Sequence, residues 1–251
     1  TMESAVSNPY AFSDEELTMR LKTPLAGLTG LVFLLTALLL PAAIWAADEG
    51  IDYTVLKPAQ PTETGDQVEV LEVFWYGCPH CWHLEPVMEQ WLATKPAGVA
   101  FRRMPATGPR WEPHARAYYA AESLGKLDVF HEALFKAMQV QKRPIMKEDD
   151  LVKFAGEVGI DPEEFRTAYN SFYVEARVRK ADEMGRRYGI DGVPALVING
   201  KYRTSPSQTG GQDRLVEVLN TLVGQEIAGK GGASGAPVAG PATAGKGAPG
   251  S

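Results

Sequence analysis

The run Gln67 to Tyr76, QVEVLEVFWY, is apolar on both parities beyond Glu69 and rich in β-branched and aromatic side chains. A strand with one wet face would alternate, so this one is expected to be covered on both sides, as a central strand is when helices pack on both faces of its sheet. Gly77 ends it, and Cys78-Pro79-His80-Cys81 follows. Cys81, Leu84, Met88, Trp91 and Leu92 then recur at helical spacing, with Pro79 where a first-turn proline is tolerated. Cys78 is therefore expected at or beside a helix N-terminus, and Pro86 should kink the helix. VAFRRMP, Val99 to Pro105, reads as a second strand and completes β-α-β, the crossover that parallel sheets use.

From Glu112 to Tyr188 the pattern becomes helix after helix. Leu127, Phe130, His131, Leu134, Phe135 and Met138 form one apolar stripe. Asp161-Pro162-Glu163-Glu164 reads as a cap, a first-turn proline and a capping box. Beyond Gly189, Val193-Pro194 leads into a short strand, Ala195 to Ile198. Asn199-Gly200-Lys201 is a hairpin turn into a partner strand beginning at Tyr202. A last helix is expected from Gln212 to about Ile227, and from Ala228 the Gly/Ala/Pro-rich chain has almost nothing to bury, so a tail without structure is expected.

Between Lys22 and Asp48 there is no charge. Met19-Arg20-Leu21-Lys22, the leucine-rich run Leu25 to Leu40 and Ile44-Trp45-Ala46 have the layout of a secretory signal cleaved after Ala46. An uncleaved anchor is the other reading, since ~20 apolar residues span a bilayer; Pro41, which breaks helix where a signal peptidase needs extended chain, favours cleavage. The acidic residues 1 to 18 are unusual ahead of a signal, and Met19 is a candidate start. Either reading puts residues 48 onward outside the cytoplasm, where thiols can be oxidised. The formal net charge is -6, with no basic block beyond the N-terminus, which argues against nucleic acid as a partner.

The chain has two cysteines, too few for a stapled scaffold. Cys78, His80, Cys81 and His83 lie close in sequence, but structural zinc sites usually recruit a second ligand pair from a distant segment. The other histidines here are His114 and His131, the latter on an apolar stripe. Covalent haem needs a histidine where Trp82 stands. A structural disulfide would close a four-residue loop and stabilise little. A redox pair remains. At a helix N-terminus a Cys78 thiolate would face unpaired amides and the positive end of the dipole, and His80 would lower its pKa further. Such a thiolate is a good leaving group and stabilises the reduced form, which makes the disulfide an oxidant. Cys81, one turn inside, suits a resolving cysteine.

Cys-Pro-His-Cys after a hydrophobic strand, a helical block and then GVPALVINGKY resembles the DsbA family of periplasmic thiol oxidases, over roughly Val68 to Ile227. The resemblance implies an α/β chain with a thioredoxin fold and an inserted all-helical domain. Residues 1–46 would be an N-terminal extension and signal peptide or anchor, 47–110 and 190–227 the two parts of the thioredoxin domain, 111–189 the helical insertion, and 228–251 the tail. It implies Cys78 as exposed nucleophile, Cys81 as buried partner, and His80, beside Pro79, as the residue that tunes the potential. Val193-Pro194 would be the cis-proline loop against the disulfide. Glu72 would be the buried acid beneath the site, which its strand parity with Val70 and Phe74 supports independently, with Arg103 as its basic partner. Pro86 departs from the best-known oxidases and is similar to thioredoxin.

The implied activity is donation of the Cys78–Cys81 disulfide to unfolded or newly exported cysteine-containing proteins by a periplasmic monomer. No metal or organic cofactor is implied, and a DsbB-like, quinone-linked membrane partner would reoxidise the pair. The helical block is expected to shape an apolar groove lined by Trp75, Tyr76 and Trp82. A reductase or isomerase of the same fold, and a Cys/His metal-binding carrier, are the alternatives.

Overall fold

The computed structural model describes residues 47–233; the expected signal segment and the tail beyond Ala233 lie outside the described residues. Its sheet has five strands, β1 (Thr54–Val55), β2 (Val68–Phe74), β3 (Val99–Pro105), β4 (Ala195–Ile198) and β5 (Tyr202–Thr204), in the order β1-β5-β4-β2-β3. Every residue of β2 is buried, as its unbroken apolar pattern requires. It runs parallel to β3, with Glu72 opposite Arg103, and antiparallel to β4, with Glu72 opposite Leu196. A charged pair thus sits in register between β2 and the edge strand β3.

The helices are α1 (Pro79–Thr94), α2 (Glu112–Ser123), α3 (Leu127–Gln139), α4 (Glu148–Glu157), α5 (Pro162–Tyr169), α6 (Phe172–Arg187), α7 (Pro206–Thr209) and α8 (Gln212–Ala233). Between β3 and β4 the chain is helical apart from its turns, as its 3.6-residue periodicity predicts. Asp161 caps α5 by accepting from the amides of Glu163 and Glu164. The last helix runs to Ala233 and not to about Ile227. Lys230 Nζ donates to the carbonyls of Asp66 and Gln67, 3.0 Å from each, and holds the glycine-rich final turn against the entry to β2. β1 and α7 are too short to leave a periodic signal.

Two apolar cores flank the sheet. One joins Leu84, Met88 and Trp91 of α1 and Leu215, Leu219 and Leu222 of α8 to Val68, Val70, Leu196 and Ile198. Trp91 Nε1 donates to Asn220 Oδ1 across that seam, at 2.9 Å. The other joins Leu71, Val73 and Phe74 to the helical block, where Tyr76 meets Phe74 and Phe135 edge-on with ring centroids 5.1 and 4.8 Å away. Each fully buried side chain of this size contributes about 1.5–3 kcal/mol. The C-terminal end of β2 is thereby clamped between the cores, and the Cys-Pro-His-Cys segment starts from a fixed platform.

Candidate active site

Cys78 is the N-cap residue of α1, with extended backbone (φ -91°, ψ 115°), and its side chain caps nothing. Pro79 follows at the first helical position, where its missing N–H is no loss. The Cys78 amide donates to Trp75 O at 2.9 Å, which fixes the turn out of β2. Both cysteines are in the thiol form. Cys78 is 8% exposed, whereas Cys81 is fully buried.

The two thiols are driven apart in acidity. Cys78 is pulled down to about 6 by the Cys81 S–H that bonds to its sulfur, by the amides of Cys81 and His80, and by the charge of His80, against opposition from burial. Cys81 is pushed far up by burial, by the hydrogen bond with Cys78 and by the negative charges of Cys78 and Glu72. One sulfur is a ready thiolate at neutral pH and its neighbour stays protonated.

Opposite Cys78 stands Val193, whose carbonyl oxygen lies 3.4 Å from Cys78 Sγ and accepts from the thiol. The Val193–Pro194 peptide is cis, as the resemblance implies. Alongside runs a groove lined by His80, Pro194, Arg203, Ser205, Ser207 and Gln208. Its lining mixes these polar side chains with Val193, Pro194, Ala195 and Pro206, and it is not the groove expected from the helical block. A second groove lies across α1, between Trp82, Pro86, Leu92, Phe101, Tyr118 and Phe135. Of the three aromatics expected to line a groove, Trp82 does so and Trp75 packs on Trp111; Tyr76 is wholly buried, because its hydroxyl is taken by His131 Nδ1 at 2.9 Å.

Beneath the helix Glu72, wholly buried, accepts from Arg103 Nε at 3.1 Å, and the same guanidinium donates through Nη2 to Glu85 Oε2 at 3.0 Å. Burial is the main cause that raises Glu72 to about 7, reinforced by the charge of Glu85 and opposed by Arg103. Arg103 is thus the basic partner of Glu72, and Arg102 turns away to Glu63 and Glu69. Glu85 was not apparent as a site residue, although it follows Cys81 by four positions and so shares its helix face. His131, on the apolar stripe of α3, closes the same cluster.

The segment before the cysteines is held from the side. Trp75 Nε1 donates to His114 Nδ1 at 2.8 Å, and His114 Nε2–H donates to Ile145 O at 2.7 Å. Trp75 also stacks on Trp111, ring centroids 5.3 Å apart. A Cβ on Gly77 would lie 2.3 Å from the Trp75 ring, so only glycine fits there. Among the described residues no three His, Cys, Asp or Glu side chains converge as a metal site.

A family model described as a DSBA-like thioredoxin domain matches residues 69–223. The chain is 37% identical over 193 residues to the thiol:disulfide interchange protein DsbA of Burkholderia cepacia, covering 76% of this chain and 91% of that one. To the protein of the same description from Pseudomonas aeruginosa it is 34% identical over 203 residues, covering 78% and 96%. The crystal structure of Pseudomonas aeruginosa DsbA matches with a TM-score of 0.68 at 34% identity, over 72% of this chain and 94% of that one. The oxidoreductase DsbA from Xylella fastidiosa matches with a TM-score of 0.68 at 30% identity, over 72% and 98%.

Proposed function

This chain belongs to the DsbA family of thiol:disulfide interchange proteins, and from that premise we propose that it oxidises protein dithiols with Cys78, the less deeply buried of the two sulfurs and not the exposed residue expected from the sequence, as the nucleophile and Cys81 as the resolving thiol. The observation that carries the reading is the opposite displacement of the two thiols, Cys78 down to about 6 and Cys81 far up. A pair so polarised favours the dithiol form, so its disulfide is a strong electron acceptor.

A substrate thiolate attacks Cys78 Sγ of the disulfide, and the electron pair of the S–S bond leaves on Cys81 Sγ. Burial makes a Cys81 thiolate unfavourable, so that sulfur takes up a proton. Glu72 is the group placed to give it, because its charge acts on Cys81 and a pKa of about 7 leaves much of it protonated near neutrality. A second substrate thiolate then attacks the substrate sulfur of the mixed disulfide. Cys78 leaves as a thiolate held by the helix amides, the substrate keeps the disulfide, and the protein keeps two electrons.

The substrate backbone lies along the Val193–Pro194 loop, with its flanking residues in the groove beside His80. Cysteine-containing proteins newly exported to the periplasm are the substrates, and a quinone-linked membrane protein of the DsbB kind takes the electrons back. The protein acts there as a soluble or tethered monomer.

Equilibrating the protein with glutathione and following tryptophan fluorescence gives the reduction potential. A value near about -120 mV, as for DsbA itself, is expected. A value near about -270 mV, as for thioredoxin, sinks the reading and makes the chain a reductase.

A further inference from the structure

Four ionisable groups meet under α1, one from each surrounding element: Glu72 from β2, Arg103 from β3, Glu85 from α1 and His131 from α3. Two carboxylates and one guanidinium leave a net negative charge that a single extra proton cancels. Where that proton rests decides whether Glu72 can serve Cys81.

Besides Glu72 Oε1, two buried atoms of the cluster have no hydrogen-bond partner: Glu85 Oε1 and His131 Nε2. They face each other at 3.6 Å, beyond hydrogen-bond length, and a few tenths of an ångström of side-chain rotation joins them. Both residues line the groove between α1 and α3, as does Arg103, the most exposed member of the cluster.

The other ring nitrogen fixes the sense of the contact. His131 Nδ1 lies 2.9 Å from Tyr76 Oη, and burial holds Tyr76 well above the ordinary phenol range, so that oxygen keeps its hydrogen. Burial likewise holds the imidazole below its ordinary range, hence neutral at pH 7. Tyr76 Oη has no other acceptor for that hydrogen among the described residues; donated to Nδ1, it leaves the one imidazole proton on Nε2, aimed at Glu85 Oε1. Arg103 across the cluster and Asp128 on the same helix also act on the ring, in opposite senses. Tyr118 meets it only as a T-shaped ring contact, with centroids 6.2 Å apart.

We propose that His131 is a positioning residue for the thiol chemistry, its Nε2–H held against Glu85 Oε1 so that the one mobile proton of the cluster stays on Glu72, beside Cys81. The deduction rests on Glu72 as the proton source for Cys81. Removing the donor leaves Glu85 Oε1 as a bare buried carboxylate oxygen. Glu85 then competes for the proton, and Glu72 loses both the proton and the repulsion that kept it there.

The test is a single-turnover reaction of the oxidised protein with a cysteine peptide from about pH 5 to about pH 9, each rate divided by the peptide's thiolate fraction. The corrected rate falls as Glu72 deprotonates, and this limb lies near pH 7 in the wild type and is absent in Glu72→Gln. His131→Phe moves it to lower pH by less than about one unit, because the lost hydrogen bond is to Glu85 and acts on Glu72 only through the charge of Glu85. His131→Gln, which keeps a donor towards Glu85, returns it to near 7. Glu85→Gln moves it in the same direction by removing the charge that raises Glu72, and His131→Leu gives the answer should the phenylalanine variant not fold. Nitrogen chemical shifts report the His131 tautomer directly, with Nε2–H expected.

A limb present in the wild type, lost in Glu72→Gln and unmoved in His131→Phe overturns the proposal alone. So does a limb displaced equally by phenylalanine and glutamine, or a proton found on Nδ1. A wild type that oxidises the peptide with no such limb overturns the role of Glu72 as well. A wild type that does not oxidise it overturns the oxidase reading.

Discussion

Cys78 Sγ and the carbonyl oxygen of Val193 are 3.4 Å apart although 115 positions separate the residues in the chain. As a thiol, Cys78 donates to that oxygen. As a thiolate it cannot, and its partners become the amides at the start of α1 and the S–H of Cys81. Ionisation therefore also frees a backbone acceptor at the place where an extended substrate would pair.

Thiolate absorbance near 240 nm should titrate in the reduced protein with a midpoint near pH 6. Cys81→Ala removes the largest stabilising contact and should raise the midpoint by about one unit or more. His80→Leu should raise it by less, since the His80 charge is the weakest of the causes. A larger shift in the histidine variant would contradict this ordering.

The same titration sets how folding stability depends on pH. A thiol whose folded pKa lies at about 6, below the ordinary 9.0, adds stability that is present above pH 9 and is lost as pH falls through 6. The thermal stability of the reduced protein relative to the oxidised one should therefore shrink between about pH 9 and about pH 6. Parallel melting curves at several pH values would show it, and a constant gap would refute it.

Glu72 works in the opposite direction. Its folded pKa is raised from 4.5 to about 7, so its contribution is present below pH 4.5 and disappears as pH rises through 7. Glu72→Gln should gain on the wild type as pH rises, by up to about 3 kcal/mol between pH 5 and pH 8. Denaturant unfolding at the two pH values measures this difference whatever the variant's starting stability.

Gly77→Ala should lower stability by about 1–3 kcal/mol, because the displaced Trp75 ring is already committed to Trp111 and His114. Indole emission should change with it, as Trp75 leaves His114. Loss of stability with unaltered emission would mean that the ring had not moved.

The strand, the cysteine turn and the first helix were legible because local rules govern them: apolar runs, a first-turn proline, a glycine stop. The Asn199-Gly200 hairpin was legible for the same reason, and Gly200 takes a positive φ of 65° there. Glu72 could be assigned to the interior from strand parity alone. Glu85 carried the same kind of signal at helical spacing and was passed over, since a glutamate on a helix is ordinarily solvated. His131 and His114 were visible as residues on helices but not as partners. Their hydrogen bonds close across 55 and 39 positions, distances over which periodicity says nothing. The polar side chains of the groove beside Pro194 come from the Ser205–Gln208 turn packing next to the loop, a tertiary accident of α7.

α5, α6 and α7 satisfy first-turn amides with a side-chain oxygen at the cap position, permanently. In α1 that position belongs to Cys78, whose own side chain makes no such bond. The vacancy is filled only when the sulfur is free and charged, and it reopens when the sulfur is tied into a disulfide. Catalytic turnover is thus also a cycle of capping and uncapping, in which a single helix end reports the redox state of the protein.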